Sequence, residues 1–159
     1  MTNRPSRLAL LDTSIIVALL RNDPLIVARL PTYHIAISAI VVGELYFGAE
    51  RSLDPVREAA KIRALSGDVQ ILSCDWTTGQ QYGTIKNMLT RRGTLIPEND
   101  MWIAATALQH NLPLVSRDEH FRWIEGLAVD AVQDTAQGSL VTMQEFMQAC
   151  AVRGAKDFL

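Results

Sequence analysis

Four acidic residues in this sequence have the type and spacing to do chemistry together. Asp12 closes an apolar run from Arg7 to Leu11, and Asp118 follows a second run from Leu112 to Val115. Asp100 stands at an expected helix start just before that second run, and Glu44 falls one turn into a helix expected after a third run, His34 to Ile37. Each has an ordinary role when taken singly: Asp12 and Asp100 can cap helices, Asp118 can turn the chain, and Glu44 can face water. Glu44 fits that role worst, because Ile40, Val41 and Leu45 surround it at helical spacing and set its charge beside a buried face.

Acids placed after strands matter because open α/β sheets bind ligands beyond the carboxyl ends of their strands, at a switch point in strand order. Two like charges about 4 Å apart repel by about 4 kcal/mol at an effective dielectric near 20, so four ionised acids sharing one pocket require a divalent cation. Mg²⁺ or Mn²⁺ suits an all-oxygen ligand set that leaves coordination positions for phosphate. Softer ligands are scarce. The only cysteines are Cys74 and Cys150, the only histidines His34, His110 and His120, and their spacing gives neither a zinc motif nor a disulfide framework.

The elements that must position these acids follow from hydrophobic periodicity. Short apolar runs alternate with longer amphipathic ones, the pattern of βαβ units on a mostly parallel sheet. Strands are expected at Arg7 to Leu11, His34 to Ile37, Val69 to Leu72, Leu112 to Val115 and Leu127 to Val132, with a short extended piece at Thr94 to Ile96. The first helix should run from Ile15 to about Leu20, capped by Thr13 or Ser14, and stop at Arg21-Asn22-Asp23-Pro24. Ser38 should cap a helix from Ala39 to Gly48, Asp54-Pro55 should open another that Gly67 closes, and Asp75 to Arg92 should end at Gly93. Asn99 or Asp100 starts an apolar helix ending at Asn111, and Thr142-Met143-Gln144-Glu145 reads as a capping box for a last helix over 142–152.

The 159 residues suit a single domain, 1–159, with 48% hydrophobic and 20% charged residues, as in globular chains. A formal charge of -2 excludes a global basic field that would draw the chain to nucleic acid or membrane, so any RNA contact must be local. The longest apolar stretch, Leu8 to Leu20, contains Asp12 and falls short of a membrane span, and no signal peptide is legible. Cytoplasm is the expected location. Phosphate-loop and dinucleotide glycine patterns are absent.

Four blocks carry a family likeness: Leu10-Leu11-Asp12-Thr13-Ser14; Ser38-Ala39-Ile40-Val41-Val42-Gly43-Glu44-Leu45 with Gly48; Gly93 to Ala105 around Pro97-Glu98-Asn99-Asp100; and Leu114-Val115-Ser116-Arg117-Asp118-Glu119-His120-Phe121. In this order and spacing, over residues 7 to about 132, the chain resembles the PIN-domain ribonucleases, and within them the VapC-type toxins of prokaryotic toxin-antitoxin pairs. The resemblance implies a three-layer α/β fold and RNA phosphodiester cleavage by a metal-activated water. It also implies a small antitoxin partner, and a homodimer is expected. The family's metal-binding acids fall on Asp12, Glu44, Asp100 and Asp118, and its supporting hydroxyls on Thr13 and Ser116. Ser116 stands where the family often has Thr, and the segment Thr142 to Leu159 exceeds what the match requires. Arg117 and Arg122 flank Asp118 and are weaker candidates for RNA phosphate contacts. Trp102, Ile103 and Phe121 read as core, and His120 as a solvated helix residue. Two rivals are a catalytically silent PIN-like module whose acids dock a basic partner, and an aspartyl-phosphate phosphatase. The second requires another Asp two residues after Asp12, where this chain has Ser14.

Overall fold

The apolar runs become strands and the amphipathic segments helices, and the computed structural model describes residues 7–132 of the chain. β1 (Arg7–Leu11) leads to α1 (Thr13–Leu20) and α2 (Pro24–Arg29); β2 (Tyr33–Ser38) leads to α3 (Ala39–Glu50) and α4 (Pro55–Leu65). β3 (Gln70–Leu72) leads to α5 (Trp76–Arg92) and α6 (Glu98–Gln109), and β4 (Leu114–Ser116) reaches β5 (Val129–Ala131) through a 3₁₀ turn at Glu119–Trp123. The helix expected over 142–152 lies outside the described residues.

All strand pairs are parallel, in the order β3-β2-β1-β4-β5. The chain builds one half of the sheet outward from β1, then crosses back to place β4 on the other side of β1. The switch point therefore lies between β1 and β4, where a crevice must open because the flanking connections diverge. β1 sits at the centre, and Ala9, Leu10 and Leu11 have no exposed surface, which is why it reads as a continuous apolar run rather than an alternating one. Ile15, Ile16 and Leu19 of α1 and Val41 and Leu45 of α3 pack onto the core, while Val17, Leu20, Ile40 and Val42 stay partly exposed.

Several boundaries differ from the sequence reading. α2 was not expected, because Asn22-Asp23-Pro24 reads as a stop. It is a stop and a start: Asn22 leaves α1 at φ 57, and Asp23 Oδ1 caps α2 by accepting from Leu25 N at 3.0 Å. Asp12, rather than Thr13 or Ser14, caps α1. α3 runs on to Glu50 beyond Gly48. Thr94 to Ile96 joins no described strand; Gly93 at φ 67 ends α5, and Thr94 N returns to Leu89 O at 3.0 Å. β4 begins only at Leu114, after a proline that has no N–H to offer the ladder. α6 starts at Glu98, capped by Pro97 with no side-chain bond, so neither Asn99 nor Asp100 is spent as a cap.

Candidate active site

Asp12 extends directly off the central strand. Its backbone N–H donates to Val115 O at 3.0 Å, which holds the end of β1 against β4, and its side chain is 5% exposed. A buried carboxylate needs donors, and three surround it. Thr13 N donates to Oδ1 at 2.7 Å, while the hydroxyls of Ser14 and Ser116 each donate to Oδ2 at 2.8 Å. Burial still dominates these bonds and pushes the Asp12 carboxyl above its ordinary value, with the Glu44 charge adding to the rise.

Ser116 ties two acids together. Its hydroxyl donates to Asp12 and accepts from Asp118 N at 2.9 Å, so the last residue of β4 fixes the turn that carries Asp118. Asp118 Oδ1 accepts from His120 N at 2.9 Å, and His120 Nδ1 lies 2.9 Å from the same oxygen. Across the cleft, Glu44 on α3 accepts from Thr13 Oγ1 through Oε2 and from Asn99 Nδ2 at 2.8 Å through Oε1. Asp100 follows in the first turn of α6. Its carboxyl is pushed up to about 7, first by desolvation and then by the charges of Asp12, Asp118 and Glu44, with His120 opposing the rise.

The repulsion felt by Asp100 is the sign that all four acids share one region of space. They do so from four different elements, at the switch point that the strand order creates. Five of these residues, Asp12, Thr13, Glu44, Asn99 and Asp100, line an open cleft of about 650 Å³ together with Ser14 and the α3 wall; Asp118 stands outside its lining. Among the described residues no group of three or more acid, histidine or cysteine side chains has its donor atoms gathered to hold a metal ion. Asp12, Glu44 and Asp118 direct their oxygens at hydroxyls, backbone N–H groups, an amide and an imidazole. The donor set still fits a hard cation, because it is carboxylate oxygen with no thiolate, and its members repel one another.

Comparison with known proteins places the chain in a family. The PIN domain family matches residues 9–127, three quarters of the chain and every acid described above. This chain belongs to the PIN-domain family. Among relatives of its PIN domain, the ribonuclease VapC2 of Haemophilus influenzae is 38% identical over 112 residues, spanning 69% of this chain and 85% of that protein. The tRNA(fMet)-specific endonuclease VapC of Salmonella typhimurium is 30% identical over 125 residues, spanning 76% and 95%. Among solved structures, the DNA-bound VapBC complex of Salmonella typhimurium superposes with a TM-score of 0.74 at 29% identity, covering 79% of this chain and 98% of that one.

Three residues of this PIN domain that support the site were not singled out for it in the sequence. Ser14 reads in the sequence as a helix cap and as the wrong residue for a phosphatase, yet it holds Asp12 in place. Asn99 was read only as a possible helix start, and His120 as solvated. The position of Asn99 beside an acid in the first turn of an apolar helix was the available signal. Of the two arginines considered for RNA, Arg117 is paired with Asp23 at 2.7 Å and Arg122 with Glu119 at 3.1 Å. Ile103 and Phe121 are core as expected, whereas Trp102 is only partly buried and stacks on Tyr82 at 4.1 Å.

Proposed function

We propose that this chain is a divalent-metal-dependent endoribonuclease that acts as the toxin of a toxin-antitoxin pair. The observation that carries the reading is the meeting of Asp12, Glu44, Asp100 and Asp118 at the switch point, close enough for three of them to raise the fourth. Those four acids would hold Mg²⁺ or Mn²⁺. A bound divalent ion supplies an acidified water nucleophile and stabilises charge on the phosphate during in-line displacement. The protein's own part is positional. Ser116 and Ser14 fix the orientation of Asp12, Thr13 and Asn99 hold Glu44, and Ser116 also fixes the turn bearing Asp118. Such outer partners keep ligand oxygens aimed and the site open toward substrate.

The partner would be a small antitoxin, as in the VapBC complexes this chain resembles. No helix among the described residues is long and apolar enough to cross a membrane, which suits a toxin working on RNA in the cytoplasm. Partly exposed Val17, Leu20, Ile40 and Val42 supply apolar surface for a homodimer or for the antitoxin. The test is cleavage of single-stranded and structured RNA by purified protein with Mg²⁺, Mn²⁺ or EDTA. Loss of cutting in EDTA and in Asp12→Asn, with growth arrest relieved by co-expressing the partner, is the expected result. Equal cutting by Asp12→Asn would refute it.

A further inference from the structure

Phe47 lies outside the hydrophobic core. It is 63% exposed, lies on α3 and forms part of the wall of the acid cleft. Single exposed apolar residues are common and mean little by themselves. This one differs in what shares its face of the helix. Glu44 and Phe47 are spaced i and i+3 on one side of α3, and Arg51, the C-cap residue just after the helix at i+7, continues that side. At a rise of about 1.5 Å per residue, the ring stands about 4.5 Å and the Arg51 position about 10.5 Å along the axis from Glu44. The Arg51 guanidinium carbon lies 5.4 Å from the ring centroid, a cation over an aromatic face. Beside them Gly43 and Gly48 face open space, since a Cβ at either would meet nothing within 4 Å. Trp76 and Trp123 are also exposed but do not line the cleft, and Tyr82 and Trp102 stack on each other.

We propose that Phe47 and Arg51 form the substrate-binding arm of the site: an unpaired RNA base next to the scissile phosphate stacks on the Phe47 ring, and Arg51 meets an adjoining phosphate. This deepens the nuclease reading and rests on it for the identity of the ligand. The chemistry favours a single strand over a duplex. A base within a helix has both faces covered, whereas an unstacked base can lie on an aromatic ring and a guanidinium plane. Stacking of this kind is sequence-tolerant, and the cation adds a phosphate contact that carries no sequence information. An acid cleft would otherwise repel the RNA backbone; the Phe47 ring on its wall, and Arg51 against that ring just beyond the lining, offer attraction that the carboxylates cannot.

The test uses the full chain and a labelled, mixed-sequence single-stranded oligoribonucleotide. Binding is followed by anisotropy in Ca²⁺, and cleavage by steady-state kinetics in Mg²⁺. Phe47→Leu should weaken binding about tenfold and raise KM by a similar factor with kcat nearly unchanged, and Phe47→Trp should restore both. Arg51→Gln should reduce the salt dependence of binding by about one phosphate contact. Wild-type binding of the same RNA as a duplex should be markedly weaker. If Phe47→Leu binds and cuts the strand like wild type, the arm is wrong and the nuclease reading stands. If Phe47→Leu loses RNA binding while no metal supports cutting, the arm stands and the nuclease reading fails. If Phe47→Leu keeps RNA affinity but loses the antitoxin, the ring belongs to a protein interface and the proposal is overturned.

Discussion

Replacing Asp100 by Asn should make the metal-free protein more stable while removing its proposed activity. The Asp100 carboxyl is pushed from 3.8 up to about 7 in the native state. Each pKa unit corresponds to about 1.36 kcal/mol, so full ionisation in the fold carries a penalty of about 4 kcal/mol at most. Asp100 is only half-buried, and solvent screening reduces that to about 1 to 2 kcal/mol. A second effect opposes the gain. Asp100 lies in the first turn of α6, where a negative charge favours the helix dipole by about 0.3 to 1 kcal/mol. Relief of repulsion is the larger of the two, and a net gain of about 1 kcal/mol should raise the melting temperature by about 2 to 4 °C for a chain of this size.

The pH dependence separates this cause from simple repacking. A carboxyl raised in the native state binds its proton more tightly folded than unfolded, so metal-free wild type loses stability as pH rises from about 4 to about 7. The advantage of Asp100→Asn should be full at pH 8 and nearly gone at pH 4. Adding Mg²⁺ should reverse the order, because an ion bound only by the native state stabilises by about 2.7 kcal/mol at a hundred times its Kd, and the variant has lost one ligand. The assay is differential scanning fluorimetry of both proteins at the two pH values, in EDTA and in Mg²⁺. An Asp100→Asn protein less stable than wild type in EDTA at pH 8, or equally stabilised at both pH values, would show that the acids do not share one field.

Other outcomes follow from the same geometry. Ser116→Ala removes the hydroxyl joining Asp12 to Asp118 and should lower divalent affinity, read by calorimetry, about 10- to 100-fold while the fold persists. Asp12→Asn should abolish RNA cleavage and leave circular dichroism unchanged, since Asn can also cap α1. Gly93→Ala places a side chain at φ 67 and should destabilise the protein by about 1 kcal/mol or more in urea titration, without changing metal affinity. Leu10→Ala, at a position with no exposed surface on the central strand, should cost about 2 to 5 kcal/mol in the same measurement.

What was legible in the sequence was whatever depends on local pattern. β1 is apolar because it is buried on both faces, so its limits, Arg7 to Leu11, could be read directly, as could the Asp-Pro start of α4 and the Gly93 stop of α5. The same Asp-Pro signal at Asp23-Pro24 was read as an end only, because the helix it opens has six residues and too little length for periodicity to show. The acids were found by their positions after strands and at helix starts. Of their hydrogen-bond partners, Thr13 and Ser116 are legible only through the family likeness, and Ser14 and Asn99 not in that role at all. Ser116 reaches Asp12 across 104 residues, and Asn99 reaches Glu44 across 55, contacts that exist only once β4 has crossed back beside β1. Phe47 was invisible for the opposite reason, since an aromatic at helical spacing on an apolar helix reads as core.

The strand order explains why the acids can wait for a cation without unfolding the protein. Had β4 added at the β3 edge, the β1 and β4 ends would lie on opposite sides of β2, and Asp12 and Asp118 would each face water alone. With β4 beside β1, the register Leu11↔Val115 brings Ser116 level with Asp12, and a single hydroxyl serves both acids. Asp12 and Glu44 then have donors from neighbouring elements and Asp118 from His120 of its own turn, which offsets part of the burial. Among the described residues Asp100 has no side-chain hydrogen bond; its rise is set by desolvation and by the three other charges, against a smaller opposing effect of His120. The unfavourable energy of the assembled site therefore falls on two of its acids, on Asp12 chiefly through burial and on Asp100 through burial and the charges of the other three, and a shared cation would relieve both.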